Sequence, residues 1–589
     1  MGDESPNPAS APMAAQPPDS FLARIKRHKV VEWTLAYVAF GYALLHGVQM
    51  LRETFEWPLL IPRLTVVGLV LGAPIAVTLA WYHGHRARHR VSGQELSILI
   101  ALLVVAGSVL WWASRSGSSH AAPTVATDST HHAKPLGEKS IAVLPFVDLS
   151  EKHDQEYFAD GMAEEVLNQL AKVPGLKVIG RTSSFQFKGK ADDLRNVGEV
   201  LGAAFILEGS VRKASDRIRV TAQLINAADG AHRWSETYER SMTDVLTIQT
   251  EIAMSIGRAL QLEVADLPTT DSKLSPSRRE AYDIYLRGEH AGDRGDQRGF
   301  EEAAVRFRSA LQRDPTFADA AEALSSTLEA LVEWHFVEPR SGSQQVREAA
   351  LLALRLNPRS AGARGVLGGN ITVYDWDWPR AEEELNAALA LSAKDSDVAT
   401  FAAMYSVAVG KWDRALQLLD TAISDDPLNP SLLNAQSMTL ARLGRWSEAE
   451  DVARRILEIS STSSWNRYWL SVVLLMQGKS EDALREAKQE TATMYRLAAI
   501  GMACDALGWH AESDAALREL EASQLLGRDM RIAEIYAVRG DLTEAMEWLE
   551  KAYDAKDASL YYVKGHPPFR NLLGDPRYKA FLRKMNLPE

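Results

Sequence analysis

Cysteine is all but missing: Cys504 is the single one in 589 residues, which rules out an intrachain disulfide and any cysteine-cluster metal site. Positive charge is short too. Lys and Arg number 65 against 77 Asp and Glu, and the deficit lies after residue 115, where 55 basic residues face 70 acidic ones. Such a surface repels phosphate backbones, and no basic stripe interrupts it, so no nucleic acid is expected as a partner. Catalytic signatures are lacking as well. Neither HExxH nor GxSxG occurs, and Gly137-Glu-Lys-Ser140 and Phe187-Lys-Gly-Lys190 both fall short of GxxxxGK[ST]. No catalytic residue, cofactor-binding residue or metal ligand is therefore assigned, and the expectation is a non-enzymatic chain without a cofactor. His120, His131 and His132 fall in a Ser-, Ala- and Thr-rich tether and read as incidental.

What the second half of the chain does have is a clock. Trp378, Trp412 and Trp446 recur every 34 residues, as do Ala381, Ala415, Ala449 and Ala483, while Gly410, Gly444 and Gly478 keep the same beat. The period is that of the tetratricopeptide repeat, and it predicts an all-α superhelix over 278–589 with about eight units. Each unit is a pair of antiparallel helices whose apolar faces are buried only by stacking on neighbours. Alanine or glycine where helices cross lets their axes approach. Resemblance to the repeat consensus gives packing positions in the first unit to Phe300, Ala303, Phe307, Ala310 and Pro315, and Cys504 falls on a repeat helix as a small buried thiol. The segment Asp575–Lys584 reads as a helix that closes the array.

In this repeat family, partners usually lie against the first helix of each pair. Carried over by register, the protein-binding groove takes in Met404, Asn434, Met438, Arg442, Trp465, Tyr468, Leu475 and Met476. Methionine adapts to differing shapes, and Tyr or Trp adds large contact area at modest entropy cost, so the lining suits a peptide or protein segment.

Residues 1–29 read as a disordered tail, and three apolar stretches follow at Val30–Leu51, Leu59–Tyr82 and Leu96–Ala113. Each is about the ~20 residues that a helix needs to cross a bilayer. Arg24, Lys26, Arg27 and Lys29 precede the first span and Arg86, Arg88 and Arg90 separate the second from the third, whereas the first loop holds only Arg52 and Arg63. The positive-inside rule then places the amino terminus in the cytoplasm, and an odd number of spans puts residues after Arg115 on the far side, the periplasm of a bacterium. The lipid bilayer is thus one expected partner. Gly68 and Gly72, spaced as GxxxG, would let two copies pair through these helices. A flexible linker is expected over 114–138.

From 139 to 266 the elements alternate. Ile141–Leu144 and Leu176–Ile179 read as strands, Tyr157–Val173 and Leu194–Leu201 as helices, Phe205–Arg212, Ile218–Ile225 and His232–Tyr238 as further strands, and Thr243–Leu262 as a helix. Arg181-Thr-Ser-Ser-Phe185 with Lys188 and Lys190 forms a polar, partly basic loop after a strand. The stretches SIAVLPFVDLS, EYFADGMAEEVLNQLAKVPGLKVIGRTSSFQFKGK and LGAAFILEGSVRKASDRIRVTAQLINAADGAHRWSETYER resemble the TolB amino-terminal-like domain, which precedes tetratricopeptide repeats in many bacterial membrane-anchored proteins. The resemblance implies a small α/β domain. In that family the two modules often follow a nucleotide cyclase or a winged-helix domain, and the 29 residues before the first expected span hold neither.

The fold class expected is therefore multi-domain: three amino-terminal transmembrane helices, a small α/β domain at 139–266, a linker at 267–277 and a carboxy-terminal all-α superhelix. The function expected is an inner-membrane-anchored periplasmic scaffold that binds envelope proteins or peptides. The alternative is a signalling protein that couples periplasmic binding to a cytoplasmic partner.

Overall fold

The computed structural model describes residues 139–587 apart from 191–192, 215–216, 263–273 and 461–464, together with 41–42, 44–46 and 69. The amino-terminal tail, the linker 114–138 and, save those few positions, the three expected spans lie outside the described residues. Among the described residues no helix is long and apolar enough to cross a membrane. The chain divides into two units, Met1–His132 and Ala133–Glu589. In the first, the described positions around Tyr42 and His46 are helical and their two rings stack 6.1 Å apart. All that follows concerns the second.

It opens with a small mixed sheet of six strands: β1 (Ser140–Val143), β2 (Val147–Asp148), β3 (Lys177–Val178), β4 (Phe205–Ala214), β5 (Arg217–Asn226) and β6 (His232–Ser241). β1 runs parallel to β3 and β4, β2 runs parallel to the far half of β4, and β4, β5 and β6 form an antiparallel meander. Every residue of β1 is buried, as a central parallel strand covered on both faces requires. Along β5 the inward set is Ile218, Val220, Ala222 and Leu224, the period of two that a half-covered strand imposes. Four helices accompany the sheet: α1 (Glu156–Ala171), α2 (Arg181–Phe185), α3 (Leu194–Leu201) and α4 (Val245–Ala259). α1 and α4 supply Phe158, Met162, Val166, Ile248 and Ile252 to one core, while α3 packs Val197 and Leu201 against Ala142, Ile179 and Ile206 in the other.

Among the described residues the array holds eight antiparallel helix pairs. The first four are α5 (Pro276–Gly292) with α6 (Gln297–Arg313), α7 (Ala318–Glu333) with α8 (Pro339–Leu356), α9 (Ala361–Asn370) with α10 (Trp378–Leu391), and α11 (Ser396–Ala408) with α12 (Trp412–Asp425). Then come α13 (Pro430–Arg442) with α14 (Trp446–Ile459), α15 (Asn466–Met476) with α16 (Ser480–Ala487), α17 (Thr493–Ala506) with α18 (His510–Ala522), and α19 (Arg528–Arg539) with α20 (Leu542–Ala555). The recurrent residues have mechanical roles. Trp378, Trp412 and Trp446 begin second helices, and Ala381, Ala415, Ala449 and Ala483 are fully buried at helix contacts. Gly410, Gly444 and Gly478 take φ of +83°, +74° and +77° at the turn inside a pair, a left-handed conformation in which a Cβ is strained. α9 is carried on by one π-helical turn, Ile371–Asp375.

The two domains share a core. The cluster beneath α1 continues through Ala281, Tyr282 and Leu286 of α5 and on to Phe317 and Ala320 at the start of the second pair. A second attachment lies further along. α2, expected as a solvated loop, is a one-turn helix whose Ser183 N–H and Oγ both donate to the buried Asp426 carboxylate, 243 positions away. Ser183 Oγ accepts from Leu428 N at 2.8 Å, Gly180 N donates to Asp425 O at 2.7 Å, and Lys177 Nζ reaches Ser424 O at 2.6 Å. A Cβ on Gly180 would come 2.3 Å from the Asp426 carboxyl carbon, so only glycine allows this approach.

After α20 the stack stops. Asp557–Leu573 turns into the concave side as two short 3₁₀ segments, Ala558–Tyr562 and Pro567–Leu572, before α21 (Pro576–Lys584). Trp378 Nε1 donates to Met585 O at 3.0 Å, Lys556 Nζ to Tyr374 O at 3.2 Å and Arg340 Nη2 to Asp554 O at 2.8 Å. The end of the array thus touches its second and third pairs.

Candidate functional site

First helices of successive pairs face inward, and what stands between them differs from one end of this face to the other. Towards the later pairs it is filled. Arg531 and Glu534 are fully buried on α19 and paired at 2.8 Å, Tyr468 donates its hydroxyl to Glu534 at 2.7 Å while accepting from Arg531, and Arg531 Nη2 donates to the Tyr562 hydroxyl at 2.6 Å. Arg442 donates to the carbonyls of Met438 at 2.9 Å and Tyr562 at 2.8 Å. His566 Nε2 is 2.8 Å from Glu534 and its ring stacks on Trp469. Burial holds His566 down at about 4, a neutral imidazole at physiological pH, and pulls Arg442 down to about 10. Such a network costs desolvation and returns it only while every partner stays in place.

Towards the earlier pairs the face stays open, around a cavity of about 360 Å³. α7, α11, α13, the Trp334–His335 bend, Trp465, Tyr495 and the 3₁₀ segment at Ala558–Tyr562 enclose it. Phe401, Trp334, Trp465 and Tyr561 give it aromatic walls, with Met404 and Met438 beside them. Its acids are Glu329, Glu333 and Asp397, and among the described residues that line it there is no Lys or Arg. Glu329 is only 3% exposed, and its one hydrogen bond accepts from Asn370 Nδ2 at 3.1 Å. Burial pushes its carboxyl up to about 8, with Glu333 adding repulsion, and burial raises Glu333 as well. His335 is held at φ +61° with its side chain 7% exposed and Nε2 3.4 Å from Asp557 Oδ1. Its Nδ1 is buried without a hydrogen-bond partner, and so is Asn434 Oδ1. No nucleophile here stands in hydrogen-bond contact with a base. The arrangement offers binding.

The structure divides the eight groove residues chosen by register. Met404, Asn434, Met438 and Trp465 come together on the cavity wall. Tyr468 is wholly buried in the ionic network, Arg442 is spent on backbone carbonyls, Leu475 lies in the core, and Met476 packs against it. None of the four lines the cavity: α19 and Tyr562 engage Tyr468 and Arg442, and Leu475 and Met476 pack into the core of the array. Glu329, Glu333, His335, Asp397 and Tyr561 escaped notice. The run Tyr561-Tyr562 and Pro567-Pro568-Phe569, apolar and outside the 34-residue beat, was the available signal that something would fold back into the groove.

Two other sites resolve simply. Ligand atoms of Asp160, His290 and Asp293 lie within 4.8 Å of one another. Lys188 Nζ already sits 2.5 Å from Asp160 Oδ2, and Arg181 lies 2.8 Å from Asp293 and 2.9 Å from Glu164, so two cations neutralise the group and it works as an ionic clasp between α1, α2 and α5. Cys504 is buried on α17, where burial pushes its thiol up, away from reactivity.

Comparison with known proteins bears on both domains. A tetratricopeptide repeat family model matches residues 402–464, and the model for the second domain of HilA/YgeH-like transcriptional regulators matches 137–255. A putative adenylate cyclase 3 of Rhizobium meliloti is 35% identical over 243 residues, 40% of this chain and 40% of that protein, so the chain spans about two fifths of the length of the curated relative it matches. Among solved structures, pilF of Pseudomonas aeruginosa is 16% identical, covering 36% of this chain and 92% of that one with a TM-score of 0.29. A thermophilic TPR protein of Thermus thermophilus is 17% identical, covering 33% and 99% with a TM-score of 0.28. The carboxy-terminal array carries tetratricopeptide repeats, matched over 402–464, and is joined to a small mixed-sheet domain.

Proposed function

We propose that this chain is a non-enzymatic scaffold, anchored in a bacterial inner membrane by its three apolar stretches, that holds a TolB-like domain and a repeat array in the periplasm and binds envelope proteins or peptides there. The observation that carries the reading is the open half of the inner face, where Met404, Asn434, Met438 and Trp465 from successive units converge on one cavity. Apolar area with few fixed hydrogen bonds suits a protein segment. Attachment to the membrane would raise the effective concentration of any partner in the same compartment, so weak contacts would suffice. The basic residues flanking the apolar stretches support the orientation.

A photoreactive residue replacing Asn434 in the full chain should crosslink to envelope proteins in cells, and one replacing the exposed Glu383 on α10 should not. Equal yields at both positions would remove the groove from the account. A reporter fused after Arg115 should be active only in the periplasm, and activity only in the cytoplasm would reverse the topology. The relative named as a putative adenylate cyclase gives weight to a second reading, a signalling chain whose periplasmic binding is passed to a cytoplasmic partner. Crosslinks from Arg86–Arg90 to a cytoplasmic protein would favour it.

A further inference from the structure

The chemistry of the open cavity is one-sided. Two buried polar atoms of its lining, His335 Nδ1 and Asn434 Oδ1, have no hydrogen-bond partner, so the wall holds unspent polar capacity. Its acids, Glu329, Glu333 and Asp397, meet no Lys or Arg among the described lining residues, whereas in the filled half Glu534 pairs with Arg531. The remaining wall is aromatic, from Trp334, Phe401, Trp465 and Tyr561. A ligand that complements three acids and aromatic faces donates hydrogen bonds, carries positive charge and has an apolar stem. Ammonium and guanidinium groups are the side-chain chemistry with donors and no acceptors, and aromatic faces attract both.

We propose that the cavity receives a lysine or arginine side chain of the bound partner, its cationic head between Glu329 and Glu333 beside the Asn434 carbonyl oxygen and its methylene stem against the aromatic walls. This rests on the protein-binding reading above and names what is recognised there. No bond is made or broken to carbon: the cation enters the acidic pocket, and the proton that burial keeps on Glu329 leaves to solvent. The volume matches one or two side chains rather than a folded element, and Asp397, exposed at the rim, would meet the cation first.

The purified full chain is titrated with Nα-acetyl-lysine methylamide, Nα-acetyl-arginine methylamide and the neutral norleucine analogue, with 1,5-diaminopentane as a free amine, and tryptophan fluorescence reports occupancy through Trp334 and Trp465. The basic probes should bind about tenfold or more tighter than norleucine, the fold-change of one charge-assisted hydrogen bond. That preference should vanish in Glu329→Gln and shrink in Asp397→Asn, a rim substitution that leaves the core untouched. Equal binding of norleucine, no binding of any probe, or a preference unchanged in Glu329→Gln would overturn the proposal. Diamine binding tenfold tighter than either amino-acid probe would assign the pocket to a free amine and overturn it as a side-chain site. None of these results touches the crosslinking from Asn434, which tests the scaffold separately.

Discussion

The two halves of the inner face are built from the same repeat positions and end in opposite states. Near α15 and α19 the chain's own tail has moved in: Tyr562 and His566 meet Tyr468, Arg531 and Glu534, and each charge finds a partner. Near α7 and α11 the same tail supplies only a wall, and Glu329, Glu333 and Asp397 have no Lys or Arg beside them among the described lining residues. Periodicity decides which residues look inward. Whether an inward residue is core or surface depends on what fills the space, and that is a matter of sequence far away.

The contrast can be broken hardest at Arg531. Arg531→Met leaves the buried Glu534 without its cation and should lower stability by about 3–5 kcal/mol, read from urea unfolding. Next comes pH, where the halves should pull in opposite directions. His566, held at about 4 against an ordinary 6.5, stays neutral in the fold while the unfolded chain takes up a proton, so its contribution rises with pH across that window and then levels. Glu329, raised from 4.5 to about 8, retains a proton that the unfolded chain gives up, so its contribution falls as pH rises from 4.5 to 8. Glu329→Gln should flatten the descending slope and His566→Gln the ascending one in thermal melts across pH 3.5–9. Tyr562→Phe removes one hydrogen bond to a buried guanidinium and should cost about 2 kcal/mol in the same assay. Smallest is Asn434→Ala on the open wall, expected to shift stability by less than about 0.5 kcal/mol while weakening capture of the basic probe. A large loss there would mean that the open half is core after all.

The repeat clock made half of this legible. Trp, Ala and Gly at 34-residue spacing fix the pairing of helices, because each serves a local need: a helix start, a close crossing, a left-handed turn. Most strands and helices of the α/β domain were readable for the same reason, with Leu194–Leu201 forming the helix that its spacing indicated, whereas β2 and α2 were not. What stayed hidden depends on distant pairs. Ser183 meets Asp426, Arg442 meets Tyr562 and Trp378 meets Met585, and no period in the chain connects their numbers. The cavity suffered equally, since Glu329 and His335 lie in an irregular second unit where the consensus gives no register. The expected spans remain a reading of the sequence.

One contact reaches further than its size. Arrays of this kind ordinarily fray from their last unit inwards, since each unit leans only on its neighbours. Here the indole of Trp378 holds the Met585 carbonyl, so a segment beyond the last helix pair fastens a helix 207 positions earlier. The strap turns a zipper into a buckle. Once it is shut, loosening any one of the enclosed units strains the rest.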